Sequence, residues 1–149
     1  MSSNEKSTAT FLHISTLSQY FFPFGNFIFP LIIWGAKKEQ SEFVNQNGKK
    51  VLNFQLSLLL YAILLLIILV PIVIYCAINN PLMFESFDDN CDFNFHYFKD
   101  SAGLVLSVCL AVLLLVILKI AEFIFIIIGA VKASEGQIYS YPLSINFIK

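Results

Sequence analysis

Apolar residues crowd into three long stretches of this chain, and the polar residues between them set where each stretch begins and ends. From Leu56 to Ile78 there are 23 residues without a charge. At 1.5 Å per residue they reach about 34 Å, enough to cross a hydrocarbon core of about 30 Å, so a transmembrane helix is predicted over 55–79. Pro71 removes one backbone donor from it. That predicts a kink, with the upper third of the helix packed on protein so that the freed carbonyl is satisfied. The second stretch, Ala102 to Val131, is interrupted only by Lys119 and Glu122. It predicts a second transmembrane helix over 101–134. Lys132 suits the negative end of its dipole, and Gly136 suits a left-handed stop.

The first stretch, 9–36, is divided by Pro23 and the Gly25-Asn26 pair into two pieces, neither long enough to span alone. It reads as one broken membrane helix, with a re-entrant hairpin as the rival. Trp34 is of the interfacial anchor type, and Lys37-Lys38 follow it. Over 41–54, Ser41 is placed to cap a helix and Glu42 to occupy its first turn. Phe43, Val44, Val51 and Phe54 recur on one side, which predicts an interfacial helix. The segment 80–100 carries Glu85, Asp88, Asp89, Asp92 and Asp100 against Lys99, among six aromatic residues, and predicts an acidic loop at the opposite membrane surface. In the tail, 137–149, Tyr139, Tyr141, Leu143, Ile145 and Phe147 alternate with polar residues or Pro142. That is the period of an extended segment, suited to a partner or to the membrane surface.

The fold class that follows is all-α, an integral membrane helical bundle. It has two long transmembrane helices, a Pro-broken N-terminal membrane segment, an interfacial helix and an extended C-terminal tail, in one membrane domain. Composition agrees: 58% of the 149 residues are hydrophobic, only 13% are charged, and the mean hydropathy is +0.77. So little polar surface does not suit a soluble domain. The nine basic residues are all lysine and the net charge is −1, which leaves no footprint for nucleic acid. Glu5 and Lys6 precede a proline-broken segment without a small-residue cleavage site, so a removable signal peptide is not expected.

Lysines also predict orientation. Lys37, Lys38, Lys49 and Lys50, with Lys132 and Lys149, fall on one side and Lys99 on the other. This places 37–50 and the C-terminus in the cytoplasm and 80–100 outside, in a multi-pass protein of a bacterial inner membrane.

Candidate chemistry is sparse. Lys119 and Glu122 sit about 18 Å and about 13 Å from Val131 at helical rise, near the midplane. Intramembrane charges are candidates for a relay, an ion path or a partner contact. The plainer reading is a self-neutralising pair three residues apart. His13, Asn53 and Gln55 are further candidates for intramembrane polar or partner contacts, and Tyr139, Tyr141 and Pro142 for tail contacts. Cys76, Cys91 and Cys109 lack C-x-x-C spacing and read as packing residues or loop residues. His96 has no second histidine at zinc spacing. The run Asp88 to Asp92 begins like a calcium loop, but Phe93 stands where the turn glycine belongs and Lys99 where the bidentate glutamate belongs. No G-x-S-x-G, Walker A or dinucleotide fingerprint occurs. No catalytic site, cofactor or metal is expected.

Three stretches resemble a known family. They are Gly25 to Trp34 with its following lysines, Phe43-Val44 through Gly48-Lys49-Lys50 to Asn53-Phe54-Gln55, and Lys132-Ala133 with Gly136, Tyr139 and Tyr141-Pro142. Their order and spacing resemble a bacterial family of uncharacterised small multi-pass membrane proteins, distantly Tic-twenty-like, after the chloroplast inner-envelope import component. The resemblance covers the chain except its first eight residues and the acidic loop. It implies a multi-helix membrane domain and brings no catalytic residues. The expected function is a non-enzymatic subunit, accessory or scaffold of a membrane complex, whose partners are the lipid bilayer and other membrane subunits or further copies of itself. The alternative is a protein-translocation or small-solute transport component in which Lys119 and Glu122, with Asn53 and Gln55, line a polar path.

Overall fold

The computed structural model describes residues 2–79 and 102–149, so the acidic loop and Cys91 lie outside the described residues. Among the described residues there are four α-helices: α1 (Ser3–Ser15), α2 (Gly25–Lys37), α3 (Glu42–Asn79) and α4 (Ala102–Glu135). A short 3-10 turn, Thr16–Tyr20, follows α1. Among the described residues there is no strand. The chain forms two compact units: Met1–Leu60 with Leu118–Lys149, and Tyr61–Ile117.

α1 starts earlier than the apolar stretch, because Ser2 and Glu5 form a reciprocal cap. The Glu5 amide donates to Ser2 Oγ at 3.3 Å, and the Ser2 amide donates to Glu5 Oε2 at 2.7 Å. After the 3-10 turn the chain reverses at Phe24, a non-glycine residue in the left-handed region with φ 61°. Gly25 then begins α2 hard against the turn, where a Cβ would stand 2.6 Å from Ser18 Oγ. Thr8, Phe11 and Ile14 of α1 line a shared groove with Ile32, Ile33 and Ala36 of α2, so the two helices run back along each other. The predicted break is present, and the geometry is that of a hairpin rather than of one broken helix. The reason is that 3-10 turn and left-handed residue together reverse the chain instead of bending it.

The interfacial helix expected over 41–54 is not separate. Ser41 Oγ accepts the Val44 amide at 3.5 Å, and α3 then runs unbroken from Glu42 to Asn79. Nothing between Phe54 and Gln55 interrupts the ladder, and the polar side chains there find partners outside the helix. At the other end of the chain, α4 closes as a Schellman motif. Gly136 has φ 86°, its amide donates to the Ala133 carbonyl at 3.0 Å, and the Gln137 amide donates to the Lys132 carbonyl at 2.8 Å.

In Tyr61–Ile117, large apolar side chains face outward. Ile67, Ile68, Ile74 and Tyr75 near Pro71 are all exposed, as are Leu106, Leu113 and Ile117. Among the described residues, the expectation that the end of α3 around Pro71 packs on protein finds no support in burial. The apolar stretches Glu42–Tyr75 and Val105–Glu135 are long and hydrophobic enough to cross a membrane.

Candidate functional site: a polar core that binds the tail

The buried polar side chains His13, Thr16, Asn47, Asn53, Gln55, Ser57 and Glu122 all belong to the unit Met1–Leu60 with Leu118–Lys149. Burying such groups is costly unless each finds a partner, so their hydrogen bonds define what the unit must hold together.

The first set joins α1, α3 and the tail. Asn47 Nδ2 donates to the Phe43 carbonyl at 2.9 Å, which turns Asn47 Oδ1 toward His13 Nε2, 3.0 Å away. His13 Nε2 is therefore the protonated nitrogen, and Nδ1 accepts from the Tyr141 hydroxyl at 2.6 Å. Burial pushes the His13 imidazole down to about 4, partly opposed by its bond with Asn47, and burial raises the Tyr141 phenol. Both rings are neutral near neutral pH, and every proton in the relay points one way. Gly129 of α4 lies against this pair, where a Cβ would stand 2.7 Å from both His13 Nδ1 and the Tyr141 oxygen. Tyr141 also stacks on Phe54 with centroids 4.2 Å apart, and Phe125 meets Phe54 in a T-shaped, edge-on contact.

The second set fastens the rest of the tail to α3. Asn53 Oδ1 accepts the Phe147 and Ile148 amides at 3.1 and 2.8 Å, and Asn53 Nδ2 donates to the Ile148 carbonyl at 3.0 Å. A side-chain amide thus pairs with the tail as a neighbouring strand would. Ser57 Oγ accepts the Ile145 amide at 2.7 Å and donates to the Asn53 carbonyl. The predicted extended tail is present, but a turn at Pro142 and Leu143, with φ 65° at Leu143, breaks its alternation. Tyr141 is buried while Leu143, Ile145 and Phe147 are exposed. Tyr141, expected to contact a partner, is enclosed by its own chain; Tyr139 is half-buried beside it and Pro142 is exposed.

The third set holds the charges. Lys119 Nζ lies 2.8 Å from Glu122 Oε2, as the spacing predicts. Gln19, from the 3-10 turn, closes the triangle by donating from Nε2 to Glu122 Oε1 at 2.9 Å and accepting from Lys119 Nζ at Oε1, 3.1 Å. Glu122 is buried, whereas the Lys119 side chain is 59% exposed. Gln55, by contrast, accepts from Asn26 Nδ2 of α2 at 2.8 Å. The four groups that a polar path requires therefore lie in separate bonds: Lys119 and Glu122 with Gln19, Asn53 with the tail, Gln55 with Asn26. They do not converge on one cavity among the described residues, and no group of three metal-binding side chains occurs there.

Sequence reasoning missed Gln19, Asn47, Ser57 and Gly129. Periodicity gives no sign of them, because each acts across 88 or more residues or between two helices that only the fold brings together. The consecutive residues Asn53, Phe54 and Gln55 point, at about 100° each, to three different partners: the tail amides, the Tyr141 ring and α2.

Fold and site together define a small all-helical membrane protein whose buried polar groups fasten an N-terminal hairpin and a C-terminal tail onto two long apolar helices. A family model described as the magnetosome magnetite crystal formation protein family matches residues 4–148, nearly the whole chain, and the chain belongs to that family. No curated protein and no solved structure matches it. That membership is consistent with the resemblance to a family of small bacterial membrane proteins, while the chloroplast-import side of the resemblance finds no support in the matches.

Proposed function

We propose that this chain is a non-enzymatic accessory subunit of the magnetosome membrane, acting in magnetite crystal formation through contacts with lipid and with other membrane proteins. The observation that carries this reading is the division of labour between buried and exposed groups. The buried polar groups of the helices and tail bind the chain's own elements, and many large apolar side chains are left exposed to lipid and partners. The family's description supplies the process.

On the lysine count, 37–50 and the C-terminus face the cytoplasm in a multi-pass arrangement. The acids of 80–100 then lie on the opposite side, where carboxylate oxygens suit a hard iron cation or an oxide surface better than other groups in the chain. A transport role draws no support from the placement of Lys119, Glu122, Asn53 and Gln55.

The test is to express the tagged protein in its own cells, isolate magnetosome membranes and recover the chain with its neighbours after membrane-permeant cross-linking. Reproducible recovery of the same membrane proteins is expected, with unchanged recovery from the Lys119→Met, Glu122→Gln double variant. Loss of a solute flux in that variant, with recovery and protein level intact, would favour transport instead. Cys91, on the predicted outer side, should react with an impermeant thiol reagent only from the face opposite the cytoplasm.

A further inference from the structure

Where the tail lies along α3, a pocket of about 360 Å³ opens between them, lined by Lys49, Lys50 and Lys149 with Gln46, Asn53 and Asn146. We infer that this pocket binds the phosphate of an anionic lipid headgroup. No carboxylate side chain lines it, and none of the three lysines lies in an ion pair among the described residues. Glu42 lies near enough to feel Lys49, but its oxygens are engaged by Gln46 Nε2 at 2.9 Å and Asn45 Nδ2 at 3.2 Å. Lys49 and Lys50 are half-buried. A lysine so placed can bury its stem against protein and keep its ammonium group in water.

Depth argues for a lipid source. Lys50 precedes Leu56, where the apolar run begins after the polar residues Asn53 and Gln55, by six positions, about 9 Å of helix, which is the level of the headgroup layer outside a core of about 30 Å. A phosphate attached to lipid is concentrated at that level, and a dissolved one is not. The pocket is also conditional. Asn146 and Lys149 belong to the tail, so the full set of donors exists only while Asn53 holds the tail in place. A headgroup bound there must, by linkage, favour the docked tail.

The experiment uses the full chain in detergent micelles, titrated with phosphatidylglycerol, with phosphatidylcholine of the same acyl chains, and with inorganic phosphate. The readouts are the thermal midpoint and the exchange of the tail amides. At tenfold excess over its Kd, phosphatidylglycerol should slow exchange of the Phe147 and Ile148 amides about tenfold and raise the midpoint by a few degrees. Phosphatidylcholine and phosphate should do neither. Lys49→Gln, Lys50→Gln, Lys149→Gln together should abolish the response, while Lys37→Gln, Lys38→Gln, Lys132→Gln, with the same change of charge, should keep it. If the first triple variant does not fold, Lys149→Gln alone, at an exposed position, should still weaken the response. Equal effects of both lipids, equal loss in both triple variants, or the same protection from inorganic phosphate would each overturn the headgroup site.

Discussion

The two units of this chain use opposite means of holding a helix in place. Among the described residues of Tyr61–Ile117 the only buried one is Ala111, and most of the isoleucines, leucines and valines described there are exposed. In Met1–Leu60 with Leu118–Lys149, buried apolar residues such as Leu12, Val51, Phe54 and Ile126 alternate with buried His13, Asn47, Asn53 and Glu122. Lipid tails are as apolar as leucine, so an apolar contact alone gives little preference for one helix neighbour over another in a membrane. A buried amide or imidazole does, because a wrong neighbour leaves it unpaired. The comparison teaches that the buried polar groups able to select a neighbour are gathered in one unit, while exposed apolar side chains such as Phe21, Ile32, Ile67 and Leu113 occur in both. Substitutions in the two units should accordingly differ in cost, and four tests bear on that difference.

The largest effect is expected at Gly129. An added methyl meets both ends of the buried His13 to Tyr141 bond, so Gly129→Ala should cost about 4 kcal/mol through overpacking and a broken buried hydrogen bond. An exposed residue of the other unit, Val112, should tolerate alanine with little change. Chemical unfolding in mild detergent checks both, and equal losses would remove the distinction between the units.

Next comes the charged triangle. Lys119→Met leaves the buried Glu122 carboxylate with Gln19 alone, and a loss of about 3 kcal/mol is expected. Glu122→Gln leaves only an exposed lysine and should cost about 1 kcal/mol. The double variant should recover most of the larger loss. Thermal midpoints of the three variants measure this, and strictly additive losses would mean that the pair is not coupled.

Acid should act through His13. Folded, its imidazole stays neutral down to about 4, whereas in the unfolded chain it takes a proton near its ordinary value of 6.5. Between those values the unfolded state binds more protons, so stability falls as pH drops through this window and is flat above it. The total is about 3 kcal/mol for a shift of this size. In His13→Gln the slope between pH 6.5 and 4 should disappear, as a series of unfolding curves would record.

The smallest effect is expected at Trp34, whose Nε1 donates to Asn45 Oδ1 at 3.0 Å while Lys38 lies 5.1 Å above the ring. Trp34→Phe keeps an aromatic ring and loses that bond, at about 1 kcal/mol. A loss several times larger would mean that the junction of α2 with α3 matters more than the polar core.

Much of the fold was legible in the sequence because it depends on local pattern. The long apolar stretches became α3 and α4, Pro23 and Gly25 marked a real reversal, and Gly136 ended α4. The capping pattern Ser2 to Glu5 was present too, and marks the start of α1 ahead of the first apolar residue. The separate interfacial helix was misread because an amphipathic face ends at Phe54 while the backbone has no reason to stop there. The site was legible only in pieces. His13, Asn53, Gln55, Lys119, Glu122 and Tyr141 stand out as polar or aromatic groups in apolar surroundings, but their partners are set by tertiary contacts. The stretches that carry the family resemblance touch one another, Asn53 and Phe54 against the tail, and that is a physical reason for them to occur together in one chain.

Amide exchange of the tail tests the central claim, that buried polar side chains fasten the tail to α3, more directly than any stability measurement. In the purified full-length protein, the Ile145, Phe147 and Ile148 amides should be protected. Asn53→Ala should release Phe147 and Ile148 while leaving Ile145, held by Ser57, and the helices protected. Exchange of these amides at the rate of a free peptide in the unsubstituted protein, or protection that persists unchanged in Asn53→Ala, would contradict the account.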